Sequence, residues 1–173
     1  MPTFSDFVSG LQLVNFSAAE LLVNTERPTN SVPPEAIWDN IGPTITALQT
    51  LRTGFGGAIS INSVYRAHNY NKHIQDAARL SQHVGFNAID FTLADRAQLP
   101  ALHARLIDLR DTWITAPRVF TRAAVHVESD LIPSRPLEWR ESNGRRQFLF
   151  RGGVKLYNTF IHIDTRGVNS NWG

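Results

Sequence analysis

Two histidines and one aspartate carry the chemistry legible in this chain: His83 and Asp90 in Ser81-Gln82-His83-Val84-Gly85-Phe86-Asn87-Ala88-Ile89-Asp90, and His162 in Phe160-Ile161-His162-Ile163-Asp164-Thr165. Two neutral imidazoles and a carboxylate suit a borderline-soft divalent cation such as zinc, leave it residual positive charge, and keep a fourth position open for water. An open position marks a reactive site rather than a structural one. Cysteine is absent, so any metal must be held by nitrogen and oxygen. Asp164 lies two residues beyond His162, so on a strand both side chains face the same way. It can then act in either of two ways, as a base taking a proton from water or as a group that orients a ligand.

These residues need rigid elements to aim them. Ser17-Ala18-Ala19-Glu20 fits a capping box before Leu21-Leu22-Val23, so a short helix begins there. Asn24 to Pro34 is rich in Thr, Asn and Pro and reads as a loop. Ile37, Ile41, Ile45, Leu48 and Leu51 then recur at helical spacing, with Pro43 set to kink or restart the helix and Gly54-Phe55-Gly56-Gly57 to end it. Ala58 to Ser63 alternates as a half-buried strand does, a short helix is expected around Asn69 to Ala78, and Ala88-Ile89-Asp90-Phe91 reads as a strand. Leu99, Leu102, Leu106, Leu109 and Trp113 mark a second amphipathic helix, with Pro100 in its first turn. Val119 to Glu128, Arg145 to Phe150 and Thr159 to Asp164 read as strands, and Ser142-Asn143-Gly144 as a hairpin turn. Helices first and antiparallel strands later predict an α+β fold, a single domain over 1–173 whose antiparallel sheet carries the metal site with helices packed on it. Residues 1–33 form its N-terminal helix and loop and 34–173 its core.

Several of these segments together are similar to one family. Ile59-Ser60-Ile61-Asn62-Ser63-Val64-Tyr65-Arg66 resembles a strand ending in Ser-Gly-Tyr-Arg, with Asn69-Tyr70-Asn71 after it. Ser81, His83, Ala88 and Asp90 follow, with six residues between the histidine and the aspartate. Gly152-Gly153-Val154, then Phe160-Ile161-His162-Ile163-Asp164-Thr165-Arg166-Gly167 and Trp172, completes the likeness. The pattern resembles the zinc D-alanyl-D-alanine peptidases of cell-wall metabolism, a family of carboxypeptidases, phage endolysins, murein endopeptidases and vancomycin-resistance dipeptidases whose fold hedgehog domains share. The likeness runs from about Phe16 to Trp172. It implies Zn2+ on His83, Asp90 and His162, and Arg66 as an active-site arginine whose planar fork grips a substrate carboxylate or steadies an oxyanion. It also implies that Ser81 helps to hold substrate, although a serine in this position is equally a turn former. The chain departs from the family in two places. Phe86 stands where a glycine is usual, and Leu156 and Thr159 stand where several branches carry a glutamate base.

Composition narrows the classes. With 173 residues and 42% hydrophobic content, the chain can build one real core but hardly two. Lys and Arg exceed Asp and Glu by 17 to 15, too small an excess for a nucleic-acid surface, and the pI of about 9.4 exaggerates it. No segment is long enough to span a membrane, and the first 22 residues lack the basic and apolar regions of a signal peptide. The expected substrate, peptidoglycan stem peptides, lies in the cell wall or periplasm, which calls either for delivery by a phage or another system or for a leader that this sequence does not include. A monomer is expected. His68, His73, His103 and His126 read as ordinary polar residues, and Trp113 and Trp139 as packing. The reading that follows is a zinc peptidase cutting bonds next to D-alanine, as a carboxypeptidase or a cross-link endopeptidase. The alternative is a non-catalytic zinc-containing binding module.

Overall fold

Thr3 begins the first helix by the same device expected at Ser17: its hydroxyl accepts from the Asp6 amide (3.1 Å), and the Asp6 carboxylate accepts from the Thr3 amide (2.8 Å). The computed structural model describes residues 1–171, so Trp172 lies outside the described residues. Helix α1 (Phe4–Gly10) is an element that the sequence reading does not predict. Helix α2 (Ala18–Leu21) starts at the Ser17–Glu20 capping box as expected. A 3-10 turn (Glu35–Ile41) then runs into α3 (Gly42–Phe55), with Pro43 in the first turn, where its missing N–H costs nothing. Ile37, Ile41, Ile45, Leu48 and Leu51 are all buried. Gly56 ends α3 in the left-handed region (φ 78°), open to glycine without strain.

Beyond it come β1 (Ser60–Ser63), α4 (His68–Asn71), β2 (Ala88–Thr92), α5 (Leu99–Leu109), β3 (Trp113–Ala116), β4 (His126–Val127), β5 (Asp130–Leu131), β6 (Trp139–Ser142), β7 (Arg145–Leu149), β8 (Val154–Leu156) and β9 (Ile161–Asp164). One antiparallel sheet has the order β1-β2-β9-β8, a second the order β3-β7-β6, and β4 pairs with β5. Ile89, Phe91, Ile161 and Ile163 join the α3 and α5 side chains in the main core. The opposite alternation, Asp90 on β2 and His162 on β9, shares the other face, where the two are direct partners in the antiparallel register. The expected α+β domain is therefore present, its sheet carrying the His/Asp/His group. Among the described residues no helix is long and apolar enough to cross a membrane.

Three segments differ from the sequence reading. Trp113 belongs to β3 and not to the helix, because Asp111 turns left-handed (φ 62°) and Asp111 and Thr112 exchange backbone hydrogen bonds with Phe150 (2.8 and 3.0 Å). Of Val119 to Glu128 only His126–Val127 is strand. The remainder finds its partners in side chains of the 3-10 turn, with Asp39 accepting from the Thr121 amide and Asn40 bonding both ways with Ala123. The helix expected over Asn69 to Ala78 is a single turn ending at Asn71. The hairpin at Asn143-Gly144 is as read: Ser142 pairs with Arg145, and both loop residues have positive φ (53° and 73°), as a two-residue type I′ turn requires.

Candidate metal centre

His83 sits in the turn that leads into β2, and its ring is fixed before any metal is considered. Nδ1 lies 2.7 Å from the Val64 carbonyl, which can only accept, so Nδ1 carries the proton and Nε2 presents a lone pair. That lone pair faces Asp90, with Nε2 3.2 Å from Oδ2. Across the β2–β9 pair, His162 Nδ1 is 3.0 Å from Asp90 Oδ1, and the two imidazole rings stand edge to face with centroids 5.2 Å apart. One ligand atom from each of His83, Asp90 and His162 falls within 4.8 Å of the others, and all three residues are buried. The donors fit a zinc-like ion: two nitrogens and an oxygen, one nitrogen already held in the ligating tautomer.

Asp164 supplies the other half of the arrangement. Its Oδ2 accepts from His162 Nε2 (2.8 Å) and from an Arg166 terminal nitrogen (2.7 Å). Its Oδ1 accepts from the Gly153 amide (2.9 Å), the Arg166 amide (3.2 Å) and Arg166 Nε (2.9 Å). Five donors thus converge on a group with about four lone-pair sites. The strands approach so closely here that position 152 requires glycine, since a Cβ on Gly152 would lie 1.7 Å from the Asp164 backbone oxygen.

The charges follow from this geometry. Burial pushes the His83 imidazole below its ordinary value despite the nearby Asp90 charge. Burial would also lower His162, but hydrogen bonds to Asp164 and Asp90 outweigh it and raise the group to about 9 in the metal-free protein. For Asp90 and Asp164 burial is likewise the largest influence and would raise them. The two histidines beside Asp90, and Arg166 with His162 beside Asp164, reverse the sign and hold both carboxylates well below their usual range. The site is prepared as anionic oxygen around imidazole, which a divalent cation would complete.

Arg66 stands at the edge of this group, its terminal nitrogen 3.2 Å from Asp90 Oδ2 and its Nε 3.2 Å from the Ser63 hydroxyl. Its backbone amide donates to the His83 carbonyl (3.2 Å), so the Arg66 loop and the His83 turn are fastened together. The Ser81 hydroxyl accepts from the His83 amide (3.2 Å), the bond of a turn former. His68, His73, His103 and His126 fall outside the metal-competent group. Sequence reading missed the layer behind the ligands. Thr44 on α3 bonds Thr165 (2.8 Å), Thr165 donates to Asn87 (2.8 Å), and Asn87 donates to Gln82 (2.9 Å), all of them buried. Asn87 and Gln82 lie inside the His83 motif, but no spacing rule identifies them.

Phe86 settles how the chain turns from His83 to Asp90 without the usual glycine. It adopts φ 53°, and its ring is fully buried, edge to face with Tyr65 at 5.8 Å. A left-handed non-glycine residue costs about 1–2 kcal/mol, whereas losing a buried phenylalanine ring costs about 3–5 kcal/mol. Phe86→Gly is therefore expected to destabilise the protein by about 1–4 kcal/mol, the difference between those terms. Urea denaturation should show a lower midpoint at unchanged slope. A higher midpoint would mean that backbone strain, not the ring, dominates at this turn.

The model of the family Peptidase M15 matches residues 14–127, about two thirds of the 173-residue chain. The chain belongs to this family. M15 is the family of zinc D-alanyl-D-alanine carboxypeptidases, and its peptidases are metal-dependent. The matched residues include Arg66, Ser81, His83 and Asp90 but stop before His162, which is brought beside Asp90 by the β2–β9 register. No curated protein and no solved structure matches the chain significantly.

Proposed function

We propose that this M15 protein is a zinc-dependent peptidase that hydrolyses peptide bonds next to D-alanine in peptidoglycan stem peptides, with cross-links favoured over stem termini. The observation that carries the reading is the His83–Asp90–His162 group with an arginine, Arg66, 3.2 Å from its carboxylate, in a chain of a peptidase family. The cross-link preference rests on the likeness of Gly152 to Arg166 to the murein endopeptidases.

Zinc held by His83 Nε2, an Asp90 oxygen and His162 Nδ1 would supply Lewis acidity, lowering the pKa of water and polarising the scissile carbonyl. The chain's own residues do the rest. Asp164 keeps His162 in one tautomer and one orientation by accepting from Nε2, which leaves Nδ1 for the ion. Because its lone pairs are already occupied by five donors, Asp164 acts as the orienting group, and we assign it no proton transfer. Arg66 sits where it can pair with a substrate carboxylate or with the oxygen that gains charge as the peptide carbonyl is attacked. Ser81 holds the His83 turn and stands close enough in sequence to offer a hydroxyl to substrate. The substrate places the protein's work in the cell wall or periplasm.

A non-catalytic zinc-containing module is the second reading, favoured by one observation: Leu156 and Thr159 stand where an acid could take the proton, and Asp164 is saturated. Purified protein incubated with murein separates the two. The peptidase reading expects about one zinc per chain and release of new peptide ends that stops with a chelator and returns with zinc. Full zinc loading without hydrolysis of any murein peptide would establish the module instead.

Arg66→Lys tests the arginine within that reading. Lysine keeps the charge but not the planar fork that reaches Asp90 and Ser63 at once, so activity should fall at least tenfold, about 1.4 kcal/mol. Zinc content and thermal stability should stay close to wild type. Unchanged turnover would show that Arg66 does not touch substrate.

A further inference from the structure

Away from the metal, the segment 117–138, irregular apart from β4 and β5, lies over the start of α3 and with it lines a half-open cavity of about 500 Å³. That volume is within the range of small-molecule sites. Pro43, Phe120, Leu137 and Trp139 line it, and Arg122 provides its cationic group. None of its lining residues is a metal ligand.

The charge balance in the cavity is uneven. Asp39, its one lining carboxylate, is already engaged by both Arg118 terminal nitrogens (2.7 and 2.9 Å) and by the Thr121 amide. The buried Asn40 amide is likewise used, bonding Gly85 and Ala123. Arg122 differs from both. Its terminal nitrogens reach two backbone carbonyls, those of Thr165 and, at 3.5 Å, Arg135, and it forms no ion pair with a carboxylate among the described residues. A guanidinium has five N–H donors, so three remain. Burial lowers Arg122 to about 10, against the pull of the Asp164 charge, which Arg166 and His162 already hold. A half-buried cation whose one nearby carboxylate, Asp164, is shared with two other groups favours an anion that can meet it with two oxygens. One guanidinium among apolar walls suits a single negative charge better than a phosphate dianion.

We propose that this cavity is a second ligand site, distinct from the metal centre, for a small molecule with a flat apolar body and one carboxylate. The body packs against Phe120, Leu137 and Trp139, and the carboxylate pairs with Arg122. Arg122 bonds the Thr165 carbonyl and Asn40 bonds the Gly85 carbonyl, so an occupant rests on side chains that brace both metal-bearing segments.

The probes are indole-3-acetate and its neutral isostere indole-3-acetamide, titrated into the zinc-loaded full chain and followed by amide NMR shifts. The acid should bind with Kd of about 1 mM, the value typical ligand efficiency gives for its size, and should shift residues 119–124 and 134–139. The amide should bind at least tenfold more weakly, and Arg122→Gln should remove that difference. Should Arg122→Gln fail to fold, the acid and amide still decide on the wild-type chain, and Trp139→Leu should weaken both probes alike. Equal binding of acid and amide overturns the proposal. So do shifts confined to the neighbours of His83, Asp90 and His162 and abolished by chelator, which would place the carboxylate on the metal, and so does the absence of saturable shifts at any concentration reached. Loss of murein hydrolysis in a chain that still binds the acid at residues 119–124 would separate failure of the peptidase reading from failure of this one.

Discussion

Alanine in place of His83 is expected to abolish metal retention and hydrolysis together while leaving the sheet intact. Among the described residues three side chains form the metal-competent group, and they come from two strands and one turn. Without His83, the remaining pair, Asp90 and His162, are direct partners across β2 and β9 and approach an ion from one side only. Loss of a ligand should exceed the 10- to 100-fold that losing an outer partner costs, so zinc affinity should fall on the order of a thousandfold or more. The Val64 carbonyl, buried just beyond β1, loses the Nδ1 donor, but the space vacated by the imidazole can hold a water that replaces it. Elemental analysis after gel filtration, beside circular dichroism, tests this. Equal zinc in His83→Ala and wild type would overturn the ligand set.

Asp164→Asn should damage the site from behind. The asparagine keeps the shape but turns one of two acceptors into a donor, and whichever way the amide faces, its N–H meets Arg166 together with His162 Nε2 or the Gly153 amide. Breaking a buried ion pair costs about 3–5 kcal/mol. Arg166 is one-fifth exposed and regains some water, so the lower end, about 3 kcal/mol, is expected here. Zinc affinity should weaken by about 10- to 100-fold, and activity should recover in excess zinc, because His162 has lost its orienting partner but not its ligating nitrogen. The opposite pattern identifies a general base: zinc and stability unchanged, and hydrolysis lower by about two to four orders of magnitude that no metal restores. Metal titration, a melting curve and a rate assay on one variant separate these outcomes.

Periodicity and capping were strong enough in this sequence to determine the local elements. The Ser17–Glu20 box, the stripe from Ile37 to Leu51, the Asn143-Gly144 turn and the β2 and β9 segments all follow from spacing, because backbone geometry repeats at fixed intervals whatever surrounds it. The ligand residues were legible for the same reason. Their types and flanking residues are local, and the family likeness covers them. What the tertiary structure decided is how separate segments meet. The Asp90–His162 register is one such case, since 72 residues separate the two and only the antiparallel pairing puts them on one face. The surroundings of Asp164 are another: the sequence leaves it base or orienter, and that the Gly153 amide and the Arg166 guanidinium fill its lone pairs beside His162 depends on the fold. Trp113 left its helical stripe because Phe150 offered backbone partners, and residues 119–125 left their strand pattern because Asp39 and Asn40 did so. Phe86 holds a left-handed turn that its type disfavours, since Tyr65 and the core repay the strain. In each case the deciding partner is set by how the elements pack and not by the interval between residues, and sequence spacing carries no record of such meetings.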